Sequence, residues 1–264
     1  MDARVAQVAV WRRRTRATRY TAYFAVAVAW SIEAIVIADT DWSRIFTGTL
    51  LQTLRGFVDL DFSILPALVQ PTIETVLMAT LATLAGLVLA IPVAWLGASN
   101  ITPLGTFSYG IGRTLMTLSR SVHEIVWALI FVSAVGLGAL AGVLAMAVRS
   151  VGFISKTIAE AIEDVDPKPI EAMRAVGGTK FQILLFGILP QITPVFIGNM
   201  IFEWDINIRR STIMGLVGAG GLGLALFRQM AMSNYGGIAT VVLVVLALII
   251  LAEIVSYYAR RAVI

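Results

Sequence analysis

Residues 166–190 read DPKPIEAMRAVGGTKFQILLFGILP, a compact polar insert between long apolar runs. The spacing predicts two short helices joined at a glycine pair. Asp166 suits a helix N-cap, Pro167 the first helical position, and Gly177 and Gly178 a stop that needs a left-handed residue. Thr179 and Gln182 form a capping-box pattern that restarts a helix toward Pro190. A well-capped helix-turn-helix between apolar runs is a handle for something in the water to grip.

The surrounding runs set the class. The chain has 264 residues, 58% hydrophobic and 14% charged, with a mean hydropathy of +0.87, well beyond an ordinary soluble domain. Long apolar stretches without strand-like alternation predict an all-α polytopic membrane protein rather than a barrel. The absence of cysteine excludes disulfides and thiolate metal sites, and a single histidine leaves no case for a zinc site or a serine-histidine triad. No catalytic residue and no metal ligand is expected. Arg12, Arg13, Arg14, Arg16 and Arg19 precede the first apolar run, and Arg260 and Arg261 follow the last, so both ends are expected in the cytoplasm. Beside a span, the arginine run reads as topogenic rather than nucleic-acid binding. The first run ends in IVIADTDW without a small-x-small cleavage site, which favours a retained span over a signal peptide.

Working outward from the insert, the apolar runs predict about six spans. The first covers 20–38 and leads to an external segment over 39–70, with an amphipathic interfacial helix at 45–58. The second covers 71–97, opened by Pro71, and small residues Ala79, Ala82, Thr83 and Gly86 suit it to close packing. A cytoplasmic turn and interfacial helix are expected over 99–120, then spans over 122–137, 139–154, 189–208 and 238–258. The fifth carries Pro194 as an expected kink. The domain reading is 1–70 for the cytoplasmic N-terminus, first span and external segment, and 71–264 for the transport domain.

The insert resembles the coupling motif of bacterial ABC importer permeases of the type I fold. That motif runs Glu-Ala-Ala, three residues, Gly, about nine residues, then an apolar residue and Leu-Pro. Glu171, Ala172, Met173, Gly177, Leu189 and Pro190 occupy those places. Met173 replaces the second alanine and Gly187 an apolar residue, without altering the helix-Gly-helix plan. The resemblance implies a type I transmembrane fold with cytoplasmic coupling helices in a bacterial inner membrane. It also implies a set of partners: a second permease subunit, identical or homologous, two ABC ATPase subunits, and an extracytoplasmic solute-binding protein. ATP and Mg would be held by the partner ATPase, since this chain has no Walker motif and no cofactor of its own. Glu171 would pair with a basic residue of the ATPase.

From Glu203 to Gly223 the sequence contains WDINIRRST and VGAGGLG, and resembles the same region of phosphonate permeases. VGAGGLG alone also occurs in methionine permeases. Gly218, Gly220 and Gly223 formally match GxGxxG, but no strand precedes them, so a re-entrant segment lining a cavity is expected instead of a dinucleotide site. Glu203, Asn207, Arg209, Arg210, Gly218, Gly220, Gly221 and Gly223 are the candidate substrate-pathway residues. Asp205 and Arg209 are spaced as an i,i+4 pair, which leaves Arg210 available to favour phosphonate or phosphate. His123 and Glu124, beside Arg120, are expected at the cytoplasmic interface as a solvated anchor. Glu33, Glu74 and Glu253 are expected near span ends, solvated. The alternative function is an ion-coupled secondary transporter or channel with Glu124, Glu203 or Glu253 as proton relay. It calls for two inverted halves that the sequence does not display.

Overall fold

The structure, a computed structural model, describes residues 18–34 and 54–262. It divides into two compact units, Met1–Arg55 and Gly56–Ile264. In the first, residues 18–34 form helix α1, where the Ser31 hydroxyl donates to the Ala27 carbonyl at 2.8 Å and is thereby satisfied within an apolar run. The arginines at 12–16 and most of the amphipathic helix expected at 45–58 lie outside the described residues; residues 54–56 are helical.

The second unit is helical throughout its described elements. These are α2 (Leu65–Gly97), α3 (Thr106–Ser121), α4 (Glu124–Val135), α5 (Ala139–Glu163), α6 (Pro167–Ala175), α7 (Leu189–Met214), α8 (Gly221–Ala231) and α9 (Tyr235–Arg261). Helix α2 starts earlier than the expected residue 71. Pro66 sits in its first turn, where a missing N–H costs nothing, and Pro71 lies inside the helix. Its buried positions Thr75, Met78, Ala79, Ala82, Thr83, Gly86, Ala90 and Ala94 recur every three or four residues and so share one face. Because that face is small, α5 approaches closely: a Cβ on Gly86 would lie 2.5 Å from that of Ser150. The Thr75 and Thr83 hydroxyls each donate one turn back, to Pro71 and Ala79, at 2.8 Å. Such back-bonding satisfies hydroxyls where no water is at hand.

Helix α5 is the centre of the bundle, packed by α2, α3, α4 and α7. Half of its apolar window is buried, against 17% for α9 and for the segment Ile183–Val217 that contains α7, so those two leave the most surface for lipid or a partner. Near the insert, Ala90, Ala94, Met116, Ile154, Ile158, Ile188 and Ile192 form one apolar cluster. At mid-height Met78, Ala82, Ala128, Met146 and Met214 form another, and at the far end Leu68, Leu222 and Val241 a third.

The largest departure from expectation lies between residues 99 and 137. The turn and interfacial helix expected over 99–120 is instead α3, packed lengthwise on α2 and α5. Glycine makes the approach possible, since a Cβ on Gly112 would stand 2.5 Å from the Gly97 nitrogen. The Ser119 hydroxyl donates to the Val148 carbonyl and accepts the Gly152 N–H at 3.0 Å. Arg113 donates to both Glu163 oxygens at 2.7 Å, and the Ser99 N–H donates to the same carboxylate at 2.8 Å. Helix α4 then leaves at 90°. Its 12 residues span about 18 Å, too short to cross a hydrocarbon core alone. Among the described residues, four helical segments are long and apolar enough to cross, or five if the bent α3–α4 pair counts as one; the first expected span, 20–38, runs beyond the described residues and is not in that count.

Candidate functional site

The insert is built as its local chemistry dictates. The Asp166 carboxylate accepts the Lys168 N–H at 3.0 Å and Pro167 opens α6. Gly177 ends the helix at φ +79°, a conformation that costs a residue with a Cβ about 1–2 kcal/mol. The capping box closes in both directions: the Thr179 N–H donates to Gln182 Oε1 at 2.8 Å, and the Gln182 N–H donates to Thr179 Oγ1 at 3.3 Å. Beyond it the chain departs from a second separate helix. Lys180–Gln182 pass through a π-helical turn, Ile183–Ile188, straight into α7. The insert is therefore a short helix α6 folded back on the extended root of a membrane helix.

Glu171 and Ala172 are exposed, Met173 half-buried, and Gly177, Leu189 and Pro190 exposed. Glu171 has no ion-pair partner among the described residues. At the tip, Val176 is 80% and Phe181 70% exposed, two large apolar side chains presented beside an unpaired carboxylate. On the inner side, Ile170 packs into the cluster of Ile188 and Ile192. The insert is anchored by one face and offers the other.

The glycine stretch lies at the opposite end of the bundle. Gly218, Gly220 and Gly221 have φ of +81°, +89° and +64°. There α8 begins against the start of α2: the Gly221 N–H donates to Glu74 Oε2 at 3.1 Å and the Leu222 N–H to Thr75 Oγ1 at 2.9 Å. Gly215 and Gly223 cross so closely that a Cβ on Gly215 would lie 2.1 Å from the Gly223 carbonyl carbon. Each glycine is thus fixed by close packing or by a positive φ, and Glu74 is a capping group.

Between the two ends lies a buried polar cluster joining α2, α5 and α7. Asn207 donates to Thr83 Oγ1 at 2.9 Å and to Ser150 Oγ at 3.0 Å, while Ser150 donates to Glu203 Oε1 at 2.8 Å. Glu203 is fully buried and Asn207 likewise. A carboxylate so placed requires a cation, and Arg210, two turns along α7, supplies it at 2.6 Å while also donating to Asn207 Oδ1 at 3.1 Å. Arg210 is therefore not left free, contrary to expectation. Arg209 points elsewhere, to Asp205 at 2.7 Å and Glu253 at 3.7 Å. Glu124 is also not the solvated anchor expected. It sits 13% exposed at the α3–α4 break, facing Arg149 and Arg210. The two arginines draw it inward. His123 caps α4, its Nδ1 accepting the Ile125 N–H at 3.3 Å.

Residues 86–264 match the family described as the binding-protein-dependent transport system inner membrane component. The chain belongs to this family. The permease is 42% identical over 201 residues to the phosphite transport system permease protein PtxC of Stutzerimonas stutzeri, covering 76% of this chain and 73% of the relative. It is 38% identical over 187 residues to the phosphate-import permease protein PhnE of Mycolicibacterium smegmatis, covering 71% of this chain and 35% of that longer protein. Its fold is similar to a chain of the inward-facing MetNI methionine ABC transporter, with a TM-score of 0.68 at 24% identity, over 78% of this chain and all of that one. The family places the permease in a membrane with several crossings as a non-catalytic component.

Sequence reading named neither Arg149 nor Gln191. The first stands alone in AMAVRSVGF, where only an intramembrane charge marks it. The second is an ordinary helical glutamine whose partner Asp166 lies 25 residues away.

Proposed function

We propose that the permease forms the translocation path of an ATP-driven importer for phosphorus oxyanions, of the phosphite, phosphate and phosphonate class. The observation that carries the substrate class is the 42% identity to a phosphite permease, supported by the half-buried Arg149 and Arg210 that share the Glu124 carboxylate. The pore is built from two copies, or from this chain and a homologue, because a path lined by polar groups needs protein on its far side. Two ATPase subunits grip the inserts, each receiving the exposed Glu171, Val176 and Phe181. A solute-binding protein docks at the face opposite the inserts.

Closure of the ATPases on ATP draws the inserts together. Since the insert continues without a break into α7, that displacement moves the helix carrying Glu203, Asn207 and Arg210, and hydrolysis returns it. ATP and Mg are bound by the ATPase, and this chain contributes docking and coupling. The rest of the candidate pathway, Gly218, Gly220, Gly221 and Gly223, forms a rigid outer wall, with Arg209 outside the central cluster.

The test is to purify the permease with its ATPase and binding protein and to follow ATP hydrolysis. Stimulation by binding protein loaded with phosphite, phosphate or methylphosphonate is expected, and its loss in Glu171→Lys. Failure of an ATPase to co-purify with the wild type would contradict the reading.

A further inference from the structure

The α3–α4 break lies deep in the bundle. Arg149 is ten positions into α5, about 15 Å from its start and some 20 Å from its end. Its Nη1 donates to the Arg120 carbonyl at 3.1 Å, which holds the break at that height. Arg120 and His123 are exposed there. Interrupted backbone and exposed ionisable groups at mid-membrane do not face lipid; they border protein or water. This face of the chain is therefore one that meets protein or water rather than lipid.

Directly behind it, the Glu124 carboxylate presents one oxygen to each of two arginines. Arg149 Nε stands 3.7 Å from Oε2, and Arg210 Nε stands 3.7 Å from Oε1. Both separations exceed a hydrogen bond. Arg149 Nε is buried and finds no acceptor, while Arg210 spends Nη1 on Glu203 and Asn207. Two guanidinium edges thus converge on one small anion that neither holds tightly. A tetrahedral phosphorus oxyanion carries equal or greater negative charge and can likewise turn one oxygen to each guanidinium, with a further oxygen to spare.

We propose that Arg149 and Arg210 form the oxyanion-contact site of the path, and that Glu124 is its resident counter-anion, displaced when substrate arrives. The proposal deepens the oxyanion-import reading and rests on it. An internal carboxylate competing for the arginines keeps the site weak, which passage requires, since an ion that binds too well does not leave. Displacement of Glu124 also frees the first turn of α4 from α5 and α7, so that occupancy alters the packing at the break.

The test uses the complete complex in proteoliposomes, with ATP-driven uptake of phosphite, inorganic phosphate and methylphosphonate. Arg149→Gln, in complex that assembles normally on size exclusion, is expected to lower uptake roughly tenfold or more, with Arg149→Lys retaining a larger part. Lys156→Gln, which removes a surface partner of Glu160 on α5, is the control and leaves uptake unchanged. Glu124→Gln gives an independent reading. With the competing charge removed, inorganic phosphate should stabilise the detergent-solubilised complex at a concentration lower by about threefold or more than in the wild type. Wild type that carries none of the three anions overturns the import reading and the site with it. Wild type that carries them, with Arg149→Gln equally active or Glu124→Gln unchanged in its phosphate response, overturns the site alone.

Discussion

Gln191, in the first turn of α7, holds Asp166, the N-cap of α6: its Oε1 accepts the Asp166 N–H at 3.1 Å while its Nε2 donates to the Gly187 carbonyl at 2.7 Å. One side chain thus ties the entrance of the insert to its exit, so force applied at the tip reaches α7 rather than bending a loose loop. Gln191→Leu removes these bonds at a partly solvated site, a loss of about 1 kcal/mol in stability. Transport per ATP hydrolysed should fall several-fold while hydrolysis continues. Parallel measurement of uptake and phosphate release from ATP checks this, and an unchanged ratio would show that Gln191 does not transmit force.

The glycines divide by what surrounds them. A Cβ on Gly223 would meet the Thr212 carbonyl oxygen at 1.9 Å, and backbone cannot yield as a side chain can, whereas nothing lies within 4 Å of Gly110 in α3. Gly223→Ala should abolish the folded protein, as overpacking beyond the usual ~1–3 kcal/mol. Gly110→Ala should raise stability by about 0.5–1 kcal/mol. Size-exclusion profiles and thermal midpoints in detergent distinguish the two.

Thr75→Val is nearly isosteric but leaves the buried Leu222 N–H without its acceptor at 2.9 Å. An unpaired buried donor costs about 1–3 kcal/mol. The loss should localise to the start of α8, seen as faster amide exchange at Gly221 and Leu222 with α5 unchanged.

Much of this architecture is legible because it is local. Asp166, Pro167, Gly177, Thr179 and Gln182 act on neighbours within a few residues, and the structure forms each of those caps. The small-residue face of α2 is legible from periodicity for the same reason. The α3–α4 break is not. The run 99–120 is too polar on average to resemble a span, and its seat is created by contacts far apart in sequence, Gly112 on Gly97 and Ser119 on Gly152. The pairing of Arg210 is hidden from the sequence for a related reason. Spacing along α7 shows Asp205 near Arg209, but only the approach of α5 and α2 buries Glu203 and makes Arg210 its obligatory partner.

Arg113 and Glu163 should be coupled energetically. The contact uses both carboxylate oxygens, but the side chains are 28% and 24% exposed, so solvent screening limits its worth to about 1 kcal/mol. A double-mutant cycle with Arg113→Ala and Glu163→Ala, followed by thermal unfolding, should return that interaction energy. Strict additivity would mean that α3 is held by Gly112 and Ser119 without the ion pair.

The central claim is that the insert delivers ATP energy to a path for phosphorus oxyanions. Uptake of phosphite into proteoliposomes containing the permease, its ATPase and its binding protein tests it most directly, with ATP and Mg set against an imposed proton gradient as energy source. The account predicts uptake with ATP and Mg, indifference to an uncoupler, and loss in Glu171→Lys. Uptake driven by the gradient without ATP, and abolished by the uncoupler, would contradict it.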